Sequence, residues 1–178
     1  MLGEETLKVL NHFGERVVID SKKNLKKRNK VVSGKLINSI DADVKVHKNS
    51  FSLSFNMEDY WEFIDYGVKG VGGKKADGST WKKKRVTNSK FKYKKKKPPI
   101  IALNGWTIRK GIAPRDSKGK FTKRRGLLFA ISTSIFRTGL ETTHFFTKPF
   151  QKEYKKLPEE LIEAYALDVD DFLEFAIK

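Results

Sequence analysis

Residues 42–55 have the sequence ADVKVHKNSFSLSF, which is the clearest indication of the fold in this chain. Apolar and polar residues alternate over positions 42–46 and again at Phe51, Leu53 and Phe55. Strict alternation places the apolar side chains on one face of a strand, and the polar run HKNS between the two halves is typical of a turn. The stretch therefore predicts an antiparallel β-hairpin with one buried face.

The segment before the hairpin predicts a long amphipathic helix from about Glu4 to Lys30. Its apolar residues recur at helical spacing, and its basic last turns lie where the helix dipole favours cations. Ser33-Gly34 interrupts the pattern, and a short turn of helix is expected just before the hairpin. The apolar positions of these two helices are Leu7, Leu10, Phe13, Val17 and Leu25, then Leu36, Ile37 and Ile40.

Three helices are predicted between the hairpin and residue 140. Asn56 is placed to cap the first, which ends at Gly67 in a left-handed conformation. Pro98-Pro99 begins the second, which ends at Gly111, and the third ends at Gly139. The apolar residues that define these helices are Tyr60, Phe63 and Ile64, then Ile100, Leu103 and Trp106, then Leu127, Ile131 and Ile135.

Three more helices are predicted in the C-terminal part. Thr147 is placed to cap the first, Pro158 begins the second, and Asp168 is placed to cap the last. The segment Leu157–Lys178 holds seven acidic residues and one lysine. An acidic helical extension is therefore expected at this end of the chain.

Together these elements predict an α+β fold. A small antiparallel sheet is expected to pack against the long N-terminal helix and against C-terminal helices near 127–138 and 147–156, with a basic extended insertion. The predicted organisation is one domain over residues 1–156, with the insertion at about 68–97, followed by the acidic helical extension over 157–178.

The net charge of +17 is concentrated in one segment of the chain. Residues 68–125 hold 21 basic and 2 acidic residues, so the rest of the chain carries a net charge of −2. The first half of the segment has too few apolar residues for a core and is predicted to be a mobile arm or an extended ribbon. A segment this basic favours an anionic partner.

The basic segment also carries aromatic residues, and both kinds of side chain are candidates for partner binding. The lysines could neutralise phosphates while the rings stack on bases, or the same residues could dock on acidic surfaces of neighbouring subunits. Both alternatives stay open at this point. The candidate residues are Lys74, Lys75, Trp81, Lys82, Lys83, Lys84, Arg85, Phe91, Tyr93, Lys94, Lys95, Lys96 and Lys97.

The composition argues against several classes of protein. Cysteine is absent, which excludes disulfides and thiolate metal sites. No apolar run approaches the ~20 residues of a membrane span. The first residues, MLGEE, lack the basic and apolar regions of a signal peptide. A soluble intracellular protein with no membrane partner is expected.

No motif predicts a catalytic or metal-binding site. His12, His47 and His144 lie in different predicted elements, without neighbours at metal-ligand spacing. Glu62 and Asp65 form a carboxylate pair, but a helix surface or a subunit contact explains them better than catalysis does. The sequence therefore predicts a protein that is not an enzyme and has no cofactor.

Three short motifs occur in order along the chain. The first, after the long helix, has the form Ser/Thr-Gly-x-Leu-x-x-Ser-Ile. The second, after the hairpin, is an aromatic stretch that ends in glycine, and the third is an aromatic–proline motif. Their residues are Ser33, Gly34, Leu36, Ser39 and Ile40; Tyr60, Phe63, Tyr66 and Gly67; and Phe145, Phe146, Pro149 and Phe150. In order and spacing these motifs resemble the tail-completion family of tailed bacteriophages.

The resemblance implies a homo-oligomeric ring in the phage neck, which joins the head and its portal to the tail and lets DNA pass. Its partners would be copies of itself, the portal or neighbouring neck proteins, and tail proteins, and DNA in transit could contact it. Its location would be the virion, after assembly in the host cytoplasm. The alternative is a basic nucleic-acid-binding protein of the ribosomal or nucleoid-associated type, which the lack of a recognised nucleic-acid-binding motif disfavours.

Overall fold

A computed structural model describes residues 3–48 and 50–177, with side chains as far as residue 173. The helices are α1 (Glu4–Lys27), α2 (Lys35–Ser39), α3 (Trp61–Asp65), α4 (Ile100–Arg109), α5 (Arg124–Thr138), α6 (Thr147–Tyr154) and α7 (Leu157–Ile177). The strands are β1 (Asp41–His47), β2 (Ser50–Asn56), β3 (Val68–Lys69) and β4 (Gly139–Leu140). The predicted α+β class is confirmed.

The chain divides into two compact units. Unit 1 lies within Met1–Lys30, Lys35–Glu58 and Phe145–Lys178, and unit 2 lies within Val31–Gly34 and Asp59–His144. Unit 1 contains the hairpin and the longest helices, and unit 2 contains the basic segment.

The predicted hairpin is confirmed in unit 1. β1 and β2 pair in antiparallel fashion, with Val44 opposite Leu53. Phe51, Leu53 and Phe55 alternate with exposed serines, so the three apolar side chains share one face. Residue 49 of the predicted turn lies outside the described residues.

The core of unit 1 forms between α1, the hairpin, α6 and α7. Phe13 and Val17 of α1 are fully buried and Leu157 of α7 is buried beside them, and Phe55 and Phe150 pack against these three residues. The ring of Phe13 meets that of Phe150 edge-on at 5.8 Å, and such pairs add about 0.5–1.5 kcal/mol beyond the burial of their area. The hairpin therefore packs on the N-terminal helix and on α6, as predicted, whereas α5 belongs to unit 2.

The prediction of two separate helices after residue 157 is wrong, because the structure has the single helix α7. Leu157, Leu161, Ala164 and Asp168 lie along one side of it, and this side packs against α1. Their spacing of three or four residues keeps them on one helix face. Since no glycine or proline follows Pro158, nothing in this segment breaks the helix.

Asp168 caps a helix, but the helix is α1 rather than the predicted last one. Gly3 precedes α1 and offers no side-chain acceptor to its first N–H groups. The carboxylate of Asp168 accepts hydrogen bonds from the backbone N–H of Glu5 (2.9 Å), the backbone N–H of Thr6 (3.0 Å) and the Thr6 hydroxyl (2.6 Å). A side chain distant in sequence thus accepts the hydrogen bonds of backbone N–H groups in the first turn of α1.

Two other predicted caps are also wrong. Asn56 is the last residue of β2 and pairs with Asp41, and α3 has Tyr60 as its N-cap. Phe146 is the N-cap of α6, so Thr147 is the first helical residue rather than the cap. Strand pairing determines the position of Asn56, and the Phe146 side chain packs against the hydrophobic core of unit 1.

Unit 2 is built on α4, α5 and the short antiparallel pair β3–β4. Leu128, Ser132 and Phe136 are the buried residues of α5. They lie one position after each of the three predicted apolar residues, which are only half-buried. The Ser132 hydroxyl donates to the carbonyl of Pro98 at 2.6 Å. The middle of the buried face is occupied by a polar residue with a hydrogen-bond partner. The pattern of apolar residues alone therefore predicted the wrong buried face for α5.

Glycines end α3 and α5 as predicted. Gly67 has a φ of 70°, and a Cβ at this position would lie 2.5 Å from the carbonyl oxygen of Leu140. Gly139 follows α5 with a φ of 89° and pairs with Lys69 in the β3–β4 ladder. Only glycine combines this backbone conformation with such a close approach of two strands.

Candidate interaction surface

The net positive charge of the chain lies almost entirely in unit 2. Its segments contain 22 basic and 6 acidic residues, a net charge of +16, whereas unit 1 contains 16 basic and 15 acidic residues. The basic segment therefore belongs to a compact unit, and the rest of the chain is close to neutral. A potential concentrated in this way attracts anionic partners.

The basic ribbon, residues 68–97, is extended and is hydrogen-bonded within unit 2. The backbone N–H of Lys84 donates to the carbonyl of Thr138 at 2.7 Å, and the N–H of Thr142 donates to the carbonyl of Arg85 at 3.2 Å. Of the two predicted forms, the structure has the extended ribbon. The ribbon contributes to the fold of unit 2 as well as to its charge.

Two aromatic residues of the basic ribbon pack within unit 2. The ring of Phe91 lies 4.4 Å from that of Phe63, and the ring of Tyr93 lies 5.9 Å from that of Phe136, between centroids. Burial raises the pKa of the Tyr93 hydroxyl. Both rings help to hold the ribbon in place, and their predicted role as anchors for a partner stays a prediction.

Two tight basic hairpins form part of the exposed surface of unit 2. Finger 1 comprises Lys74–Trp81 and finger 2 comprises Arg115–Phe121, and a β-bridge closes each of them. Each turns at a glycine of positive φ, which is 80° at Gly78 and 79° at Gly119. Positive φ is the conformation that glycine adopts most readily. The two fingers therefore share one backbone design.

The side chains of the two fingers are also alike. An aspartate carboxylate is the acceptor in each turn: Asp77 accepts the backbone N–H of Ser79 in finger 1, and Asp116 accepts those of Lys118 and Lys120 in finger 2. A cation lies over an aromatic ring in each: the Lys75 ammonium is 5.5 Å from the centroid of Trp81, and the Arg115 guanidinium is 4.0 Å from that of Phe121. Such a cation–π contact contributes about 0.5–1 kcal/mol of favourable interaction free energy at an exposed site and so helps to order the side chains.

The remaining candidate cations of the basic ribbon are exposed. Lys82–Arg85 and Lys94–Lys96 are all open to solvent. The Lys97 ammonium lies 4.5 Å from the ring centroid of Phe129 and donates to the Thr133 hydroxyl at 3.1 Å. These side chains can meet an anionic partner without any change in the fold.

Unit 2 also exposes large apolar side chains beside its cations. Ile101 of α4 is 89% exposed, and Ile108, Phe121 and Phe129 are more than half exposed. Ile101 and Ile108 are seven residues apart on one helix and therefore share a face. Exposed apolar surface of this kind is typical of a protein-contact surface.

The family-motif residues of unit 1 shape its fold. Leu36 and Ile40 are buried, and the Ser39 hydroxyl accepts a hydrogen bond from the backbone N–H of Glu58 at 3.0 Å. Phe145 is fully buried. Pro149 is buried as well, while Phe146 and Phe150 pack against the core.

The family-motif residues of unit 2 form turns and ring contacts. Gly34 and Gly67 have positive φ, and Ser33 precedes the first of these turns. The ring of Tyr66 lies 6.4 Å from that of Trp61, and Tyr60 and Phe63 are partly exposed. The motifs thus supply packing and turns.

Glu62 and Asp65 have different surroundings. The Oε2 atom of Glu62 lies 3.0 Å from Nζ of Lys90, at a partly exposed position. Asp65 is fully buried, and its backbone carbonyl accepts the N–H groups of Thr143 and His144. Within the part of the chain that the structure describes, no group of three or more histidine and carboxylate side chains is arranged to hold a metal ion.

Two surface features were not predicted from the sequence. One is finger 2, although the pattern of an aspartate, a glycine, flanking cations and an aromatic residue occurs in both fingers. The other is the outer face of α7, where Ile162, Tyr165 and Phe172 are exposed. The spacing of these three residues would have revealed a second apolar face on the helix.

Comparison with known proteins finds no family model, no curated protein and no solved structure that matches this chain. Over the described ranges, the helices are too short or too polar to cross a membrane. The function of the chain is therefore inferred from its own residues.

Proposed function

We propose that the protein is a non-enzymatic structural component of a tailed phage, which assembles into a homo-oligomeric ring in the neck of the virion. The ring joins the portal of the head to the tail and lets DNA pass through its lumen. Its partners are copies of itself, the portal or neighbouring neck rings, and tail proteins. It works without a cofactor.

The observation that carries this proposal is where the three family motifs lie in the fold. Leu36, Ile40, Phe145 and Pro149 are buried, and Gly67 sets a turn that a side chain would block. A resemblance in residues that determine packing and turns supports a shared architecture rather than a shared reaction. The family that the motifs resemble is one of structural rings.

The charge of the protomer also supports assembly. Copies that each carry a unit of net charge +16 repel one another unless an anionic surface lies between them. The acidic helix α7 offers such a surface on the same chain. Both units also expose large apolar side chains, among them Ile101 and Ile162, so contact with further copies would bury these residues and add stability.

Electron microscopy tests the proposal directly. The purified protein is imaged alone, and particles assembled with the portal are imaged with and without its gene. Rings with a central opening, and a neck that is missing when the gene is deleted, are the expected results. Monomers in isolation together with particles whose necks lack the protein would overturn the proposal.

A nucleic-acid-binding protein is the second candidate function, and the two fingers favour it. Finger 1 together with the four cations that follow it (residues 74–85), and finger 2 together with the three cations that follow it (residues 115–125), each carry a net charge of +5. Basic hairpins with exposed cations suit contact with a phosphate backbone. The same surfaces suit acidic protein, so the two functions need a direct comparison.

The comparison uses charge removal rather than deletion, because the basic ribbon supplies packing residues to unit 2. Lys82, Lys83 and Lys84 are replaced together by glutamine, and Lys22, Lys23 and Lys26 of α1 form the matched control. DNA affinity is measured against salt, since each phosphate contact contributes about −0.9 to the logarithmic slope. Loss of DNA binding with intact rings favours the second candidate, and loss of rings with unchanged DNA binding favours the first.

A further inference from the structure

The helix α7 carries two apolar stripes. The first faces α1 and includes Leu157, Leu161 and Ala164. The second, here called the outer stripe, consists of Ile162, Tyr165, Val169, Phe172 and Leu173. Its residues recur at intervals of three or four, so they form one continuous stripe, which lies about a quarter of a turn around the helix from the residues that face α1.

Four of the five residues of the outer stripe are exposed and Val169 is half-buried, although the stripe is strongly apolar. Ile162 is 71% exposed and Tyr165 is 64% exposed, and Phe172 and Leu173 are close to half exposed. A helix that is apolar on two faces usually buries both of them. The outer stripe therefore has the composition of an interface.

One edge of the outer stripe is acidic. Glu159, Glu163 and Asp170 are exposed and follow one another at intervals of four and seven residues, which places them along the same edge. A partner that covers the stripe must be apolar in its middle and basic beside it. An acidic or nucleic-acid partner would meet repulsion at this edge.

The helix α4 of unit 2 has the complementary character. Ile101 and Ile108 are exposed on one face, and the exposed cations Arg109 and Lys110 lie at its C-terminal end. The surrounding unit has a net charge of +16. At 1.5 Å per residue, α4 is about 15 Å long, and the stripe from Ile162 to Leu173 is about 16 Å long.

We infer that the outer stripe of α7 in one copy packs against the exposed face of α4 in the next copy. Ile162, Tyr165 and Leu173 then meet Ile101 and Ile108, while the acidic edge meets Arg109 and Lys110. The inference rests on the proposed ring, because it identifies the surfaces through which neighbouring copies join.

This contact is heterologous, since α7 and α4 are different surfaces of the same chain. Each copy then has one free α7 and one free α4, so addition continues until a ring closes or an open filament forms. The contact also places an acidic helix beside each basic unit, which relieves the repulsion between copies. Packed helices of this kind lie about 8–10 Å apart.

Three variants test the contact in the full-length protein. The stripe variant carries Ile162→Gln, Tyr165→Gln and Leu173→Gln, and the α4 variant carries Ile101→Gln and Ile108→Gln. The control carries Ile19→Gln, which removes a comparably exposed apolar side chain from α1. All five positions of the two test variants are exposed, so circular dichroism should show unchanged folding.

Self-association is measured by light scattering over a range of concentrations. The stripe variant and the α4 variant should each raise the dissociation constant at least about 10-fold, because apolar residues at the centre of an interface contribute most of its affinity. The control should assemble like the unchanged protein. Raising the salt concentration should weaken assembly further, since the acidic edge and its cations are then screened.

Mixing the two variants tests whether the contact is heterologous. The stripe variant keeps a functional α4, and the α4 variant keeps a functional outer stripe, so an equimolar mixture should form dimers of one chain of each kind. The substitutions give the two variants different masses, so native mass spectrometry distinguishes mixed dimers from dimers of one variant. If two outer stripes paired with each other instead, the α4 variant would assemble alone, and the inference would be wrong.

The remaining outcomes separate the inference from the proposed function. Rings that persist in both variants overturn the inference and leave the proposed ring intact. If the protein forms open filaments joined through α7 and α4 and is absent from phage necks, the inference is supported and the proposed function is overturned. Loss of DNA binding in an Arg109→Glu and Lys110→Glu variant, with unchanged assembly, would assign α4 to nucleic acid and overturn the inference.

Discussion

Replacement of Asp168 by alanine removes the cap of α1. The carboxylate of Asp168 accepts three hydrogen bonds, two from backbone N–H groups at the start of α1 and one from the hydroxyl of Thr6. Asp168 is 3% exposed and Thr6 is 8% exposed, so water cannot readily take over as the partner. Loss of a cap costs about 0.5–2 kcal/mol, and each buried polar group left without a partner adds about 1–3 kcal/mol. The expected loss for Asp168→Ala is about 2–4 kcal/mol.

Urea unfolding followed by circular dichroism at the helix band measures this loss. Asp171→Ala is the matched control, because Asp171 is exposed on the same helix and shares the gain in helix propensity from alanine. Trp61, Trp81 and Trp106 all belong to unit 2, so their fluorescence follows that unit separately. A difference below about 0.5 kcal/mol between the two variants, the range of ordinary surface changes, would refute the capping argument.

The same variant has an expected dependence on pH. Burial alone would raise the pKa of Asp168, but the hydrogen bonds from Thr6 and Glu5 outweigh it and hold the pKa below its ordinary value. A carboxylate with a lowered pKa in the folded state stabilises the fold fully above its unfolded pKa of about 3.9, and this stabilisation is lost as the pH falls toward the folded value. The stability difference between Asp168→Ala and the unchanged protein should therefore shrink below about pH 4.

Three further changes test the packing of each unit. Leu53→Ala should destabilise unit 1 by about 2–3 kcal/mol, because Leu53 packs on the core but stays partly exposed. A loss of unfolding free energy below about 0.5 kcal/mol, measured by circular dichroism, would contradict the assigned hairpin face. Gly67→Ala should lower the free energy of unfolding, followed by tryptophan fluorescence, by about 2–4 kcal/mol, because φ is positive and a Cβ would meet backbone atoms. The control Gly78→Ala has a similar φ but open space around it, and it should lower this free energy by about 1–2 kcal/mol. Equal losses would show that the close approach at Gly67 is unimportant. Glu153→Gln should cost about 1–2 kcal/mol, because the buried carboxylate lies 3.0 Å from Nε of the partly exposed Arg16, and high salt should reduce that cost only slightly.

The basic surface was only partly accessible from the sequence. Composition located the charge in residues 68–125 and named Lys74, Lys75 and Lys82–Arg85 as candidates, because charge is a property of residues rather than of their arrangement. Finger 2 was not predicted, and the structure shows that it has the same backbone design as finger 1. Each finger depends on a turn in which one aspartate accepts backbone N–H groups, and such a turn has no apolar periodicity to reveal it.

The elements that could be predicted from the sequence are those whose cause is local. The alternation around Leu53 defined the hairpin and its inner face, the helical recurrence of Phe13 and Val17 defined α1, and Gly67 and Gly139 ended two helices. In each case a side chain acts through its own strand, its own helix or its own φ angle. Neighbouring residues are therefore enough to predict the result.

The partner that satisfies each helix end, and the face that each helix buries, depend on contacts between residues far apart in the chain and could not be predicted from the sequence. Asp168 lies inside α7 and caps α1, and Ser132 lies in the buried face of α5 because the carbonyl of Pro98 accepts its hydroxyl. The outer stripe of α7 stayed exposed because its other face was already occupied by α1. A polar group or an apolar face specifies what kind of partner it needs, but the folded chain decides which of many equivalent partners comes within reach.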